Sequence, residues 1–75
     1  MSQDPMSFAL SVNQWFYKHK VKARVTGAES NFDGEMTYTV LSYDPLEVIN
    51  MREGKLIFKK ITDLRYEMTV EVIRG

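Results

Sequence analysis

The chain has 75 residues, with ten Lys or Arg against ten Asp or Glu, one His and no Cys. That length suits one small domain. Without Cys there is no disulfide framework and no thiolate nucleophile or metal ligand, and a formal charge of zero excludes the cationic coat that draws a protein onto duplex DNA or an anionic membrane from a distance. No apolar run approaches the roughly 18 residues of a membrane span, so a soluble protein in a reducing, cytoplasmic setting is expected.

Met1-Ser2-Gln3-Asp4-Pro5 stands before a second methionine, Met6, and Ser-Gln-Asp-Pro resembles the cloning-site residue left by two-gene coexpression vectors. Residues 1–5 are therefore set apart as a vector-derived tag remnant and 6–75 as a single α+β domain. From Ser7 to about Tyr17, the spacing of Phe8, Val12, Trp15 and Phe16 by four and three predicts a helix, with Ser7 as its N-cap. The same stretch also alternates, Phe8, Leu10 and Val12 against Ala9, Ser11 and Asn13. A strand there, and with it an all-β small barrel or sandwich, is the alternative.

Strand patterns follow. Val21, Ala23 and Val25 alternate with Lys20, Lys22 and Arg24 and exit at Thr26-Gly27; after the polar loop Glu29–Gly34, Met36, Tyr38 and Val40 alternate with Thr37, Thr39 and Leu41 up to Tyr43. Asp44-Pro45 is a break, because proline supplies no ladder donor. Short strands are expected over Leu46–Met51 and Lys55–Ile61. A last one has Leu64, Tyr66, Met68, Val70 and Val72 on one face and Arg65, Glu67, Thr69 and Glu71 on the other. Short connections favour sequential pairing, which predicts one N-terminal helix packed on an antiparallel meander of about five strands. Below roughly 70–80 residues a core seldom supplies more than a few kcal/mol, so a partner or self-association is expected to add burial.

The residue inventory is poor in chemistry. His19 lies between Lys18 and Lys20 with no evident partner group, and there is no Gly-x-Ser-x-Gly elbow, phosphate loop or dinucleotide fingerprint. Asp33 and Glu35 could divide acid and base roles only inside a cleft that a chain this short scarcely encloses. Glu29–Gly34 has the oxygen donors that open a calcium loop, but the twelfth position is Val40 where a bidentate Glu is required. No catalytic residue, metal ligand or cofactor is expected.

Binding features are better developed. Residues 18–24 hold four Lys or Arg, while residues 25–51 hold five acids and none. Phe32, an aromatic on an acidic loop, is the leading protein-contact candidate, flanked by Glu29, Asp33 and Glu35. A second candidate joins stacking groups to cations, Trp15 and Tyr17 with Lys18, Lys20, Lys22 and Arg24, as a single-stranded nucleic-acid site, because alternate residues of a strand stand about 7 Å apart, near the spacing of successive phosphates. A third is open strand edge along the C-terminal strand, available to a partner or a second copy. In size and texture the chain resembles the small proteins that bacteriophages and mobile elements use to block host machines. The expectation is a non-enzymatic protein-binding inhibitor, adaptor or subunit that also self-associates, with the nucleic-acid binder as alternative and a small-molecule-binding oligomer third.

Overall fold

A computed structural model describes residues 5–30 and 32–71 of the chain. Helix α1 spans Pro5–Lys18, and five strands follow: β1 Ala23–Ser30, β2 Met36–Ser42, β3 Ile49–Met51, β4 Gly54–Lys60 and β5 Arg65–Glu71. The α+β class is as expected, one helix on one antiparallel sheet. Of the segment set apart as a tag, residues 1–4 lie outside the described residues, as does Val72 of the last predicted strand.

The helix begins earlier than Ser7. Proline suits the first helical turn because its backbone angle is preset and it has no N–H to leave unpaired, and Pro5 opens α1. Ser7 is consequently inside the helix rather than its N-cap, and its carbonyl accepts the Ser11 hydroxyl at 3.2 Å. Phe8, Val12 and Phe16 form the buried stripe. At the other end the Val21 N–H donates to the Phe16 carbonyl at 2.8 Å and the Lys20 N–H to the Tyr17 carbonyl at 3.2 Å, while Lys20 takes a left-handed φ of 58°. These paired bonds are a Schellman cap, with Val21 folded back onto the core.

The strand order is β1-β2-β5-β4-β3. Pairing is sequential except at one place, where β2 takes β5 as its neighbour instead of β3. Residues 43–48 carry the chain to the far edge, a distance of three strand spacings, about 14 Å, within the roughly 20 Å that so many extended residues reach. Leu46 anchors this crossing in the core, and its N–H donates to the Tyr66 hydroxyl at 3.4 Å. The crossing consumes the first half of the strand expected over Leu46–Met51. It also puts β5 in the centre of the sheet, paired with β2 over Arg65–Met68 and with β4 up to Glu71, so its described part is not the expected sheet edge; the edges are β1 and β3.

β1 continues past Thr26-Gly27, the expected exit, because the extra residue is absorbed as a bulge between Val25 and Gly27. The expected loop at Glu29 is thereby shortened. One sheet face packs on α1 through Val25, Tyr38, Val40, Ile49, Leu56, Tyr66 and Met68, all buried. Alternation sends Arg24, Glu29, Thr37, Thr39, Leu41, Lys55, Lys59, Arg65 and Glu67 to the opposite face. Among the described residues no element covers that face.

Candidate binding surfaces

The two ends of the sheet differ in charge because of the register. At one end the β1–β2 hairpin closes through Phe32, Asp33 and Gly34, whose φ of 79° makes the turn. Phe32 is 108% exposed, as open as a side chain in an extended peptide. Glu29 lies opposite Thr37 near the hairpin end, and Glu35 leads into β2. The four residues proposed for protein contact thus share one projecting hairpin. Opposing Lys55 to Glu71 and Met51 to Gly54 brings the β3–β4 turn, with Arg52 and Glu53, to this same end.

Behind the tip is a cleft of about 280 Å³ lined by Phe8, Met36, Tyr38 and Val70, with Glu35 and Glu53 beside them. The Phe8 and Tyr38 rings meet at 5.4 Å, and burial pushes the Tyr38 hydroxyl above its ordinary pKa of 10.0. Glu53 comes from a turn remote in sequence and is visible as a neighbour only once the strands are paired.

The opposite end carries the basic residues, but the structure divides the segment 15–24 between two faces. Trp15 is half-buried on the helix side, stacked on His19 with ring centroids 4.0 Å apart and beside Val21, Pro45, Leu46 and Ile49. Tyr17 is 87% exposed on the helix; Lys18 occupies its last turn, where a cation suits the helix dipole, and Lys20 is committed to the cap. Lys22 and Arg24 leave this group and line a groove with Leu41, Tyr43 and Thr26 on the β1 side of the sheet. Arg65 on β5 lies opposite Leu41. Tyr43, Leu41 and Arg65 escape a reading by sequence neighbourhood, because each is brought to Arg24 by strand pairing.

The acidic residues near 44–47 fall at this basic end, away from the hairpin tip. Asp44 is used structurally: its carboxylate accepts the Lys22 N–H at 2.8 Å, and the Tyr43 N–H donates to the Lys22 carbonyl at 2.9 Å. Buried Ser42 donates its hydroxyl to the Asp44 carbonyl at 2.6 Å. These bonds fix the segment carrying Lys22 and Tyr43 to the end of β2.

Among the described residues no cluster of three or more His, Cys, Asp or Glu is placed to hold a metal ion, and no helix is long and apolar enough to cross a membrane. Comparison of the chain with protein-family models, curated proteins and solved structures finds no match.

Proposed function

We propose that the chain is a non-enzymatic protein-binding module, an inhibitor, adaptor or subunit of a larger complex, that engages its partner through the β1–β2 hairpin tip. The observation carrying this reading is the exposure of Phe32 on a turn rich in carboxylates. Leaving a phenylalanine in water forgoes about 1.5–3 kcal/mol of burial. Seated in a partner pocket, the same ring would act as an anchor, with Asp33 and Glu35 selecting a pocket rimmed by Lys or Arg. The blocking of a host machine by a phage or mobile-element protein is one form such binding could take.

Paired affinity capture from the cells that naturally make the chain tests the idea, with wild-type protein and Phe32→Ala as baits. A protein retained by the first and lost by the second is the expected result, followed by a roughly 30-fold or greater loss of affinity by calorimetry, the scale of a hot-spot residue. Identical retention by both baits would exclude the tip.

A further inference from the structure

The open face of the sheet carries a second surface, independent of the hairpin tip. Lys22, Arg24, Leu41 and Tyr43 line one groove, and Arg65 extends it across the sheet from its place opposite Leu41. Tyr43 is 77% exposed and Leu41 43% exposed. Protection of a sheet edge by charge accounts for Lys22 and Arg24 at β1. It does not account for Arg65, which is on the central strand, or for a tyrosine and a leucine left uncovered between the cations.

We infer that this groove binds single-stranded nucleic acid, with a base stacked on Tyr43 against Leu41 and phosphates held by Lys22, Arg24 and Arg65. Three observations favour a polynucleotide. No carboxylate lines the groove from Lys22 to Tyr43; Arg65 also borders a neighbouring hollow with Glu29 and Glu67, of which Glu67 has Lys59 opposite it, and the Asp44 carboxylate accepts the Lys22 N–H. Lys22 and Arg24 are two residues apart, about 7 Å on an extended chain, while Arg24 and Arg65 are two strand spacings apart, near 10 Å. The cations can therefore follow a backbone over two or three nucleotides while the ring between them takes a base, the pairing of stacking platform and electrostatic track that sequence-tolerant single-strand binders use. Finally, the platform is stiff. Tyr43 is held through its own N–H to Lys22, and Leu41 and Arg65 are paired backbone positions of neighbouring strands.

The test is fluorescence anisotropy of labelled (dT)20 and (rU)20 with the full chain at 20 and 200 mM NaCl. Binding at low salt should weaken steeply at high salt. Tyr43→Ala should raise Kd roughly tenfold, a typical stacking loss, whereas Tyr43→Trp should preserve affinity. Arg24→Gln and Arg65→Gln should each reduce the slope of log K against log salt by about 0.7. Lys18→Gln and Lys20→Gln, outside the groove, should change Kd less than threefold. Because Tyr43, Arg24 and Arg65 are exposed, unchanged circular dichroism is expected; should Tyr43→Ala fail to fold, Tyr43→Leu is read instead. The proposal is overturned by absence of binding at 20 mM salt, by Tyr43 variants with unaltered Kd, or by Lys18 and Lys20 variants as damaging as those in the groove. Displacement of the oligonucleotide by poly-glutamate at equal charge would assign the surface to an acidic protein and overturn it too.

Discussion

At the scale of single residues, Phe32 and Lys20 show opposite relations between exposure and role. Phe32 touches no core residue and is free to act outward, so Phe32→Ala should leave the thermal midpoint within about 2 °C of wild type while abolishing partner capture; surface changes away from structural features usually stay within about 0.5 kcal/mol. Lys20 looks like one cation among several, yet its backbone is left-handed at the Schellman position, a conformation costing an L-residue roughly 1 kcal/mol that glycine escapes. Lys20→Gly should accordingly stabilise the fold by about 0.5–1 kcal/mol in urea melts. The sequence singles out Phe32 as an aromatic among loop acids, but an aromatic in such a loop commonly tucks back onto its own sheet, and its full exposure is seen only in the fold. The duty of Lys20 was not legible, because the cap lacks the glycine that would have announced it.

Tyr38 adds a pH dependence at the same scale. Its hydroxyl pKa is raised by burial, so the folded state holds the proton more tightly than the unfolded one. The corresponding stabilisation is complete below pH 10 and is lost as pH rises through the folded-state value. Urea midpoints measured from pH 8 to 11.5 should fall more steeply for wild type than for Tyr38→Phe.

Among elements, the sheet depends on a few backbone contacts. Gly54 opens β4 with a φ of 154°, and a Cβ there would stand 2.7 Å from the Glu71 carbonyl oxygen and 3.0 Å from a Val70 methyl carbon. Gly54→Ala must push β4 from β5 and should cost about 2–4 kcal/mol. At Gly27 a Cβ meets nothing within 4 Å, so Gly27→Ala should be close to neutral in the same denaturation series.

The outer edge of β1 is guarded by the helix, where the Val25 N–H donates to Asn13 Oδ1 at 2.8 Å. Asn13→Ala leaves that donor without its partner and should cost about 1–3 kcal/mol. It should also increase concentration-dependent association in light scattering, because the exposed edge becomes a pairing template. The strands and helix themselves were readable from apolar spacing. Two features were not: the bulge, because an inserted residue looks like a strand ending at Thr26-Gly27, and the neighbour of β2, because local pattern says nothing about which distant strand fills a gap.

For the whole molecule, pairing gathers Glu29, Asp33, Glu35, Glu53 and Glu71 near the hairpin tip, with Arg52 and Lys55 among them, and Lys18, Lys20, Lys22, Arg24 and Arg65 toward the other end, with Asp44 and Glu47 among them. The proposed protein contact and the proposed nucleic-acid groove therefore occupy separate surfaces and should be separable by mutation. Reversal of charge at Arg24 and Arg65 is expected to spare partner capture. Segregation of charge along the chain marks residues 18–24 as basic and 25–51 as acidic, but the fold blurs it by sending Asp44 and Glu47 to the basic end, and Glu53, Glu71 and Arg65 take their places only through the register.

Because β5 sits between β2 and β4, the fifth strand in chain order is the one that joins the two hairpins. Without it the β1–β2 hairpin has only α1 to cover its apolar side, while the β3–β4 hairpin has no paired neighbour and, like any isolated hairpin, is marginal in water. A chain lacking β5 should therefore lose cooperative unfolding, with Leu56 of β4 uncovered and open to proteolysis.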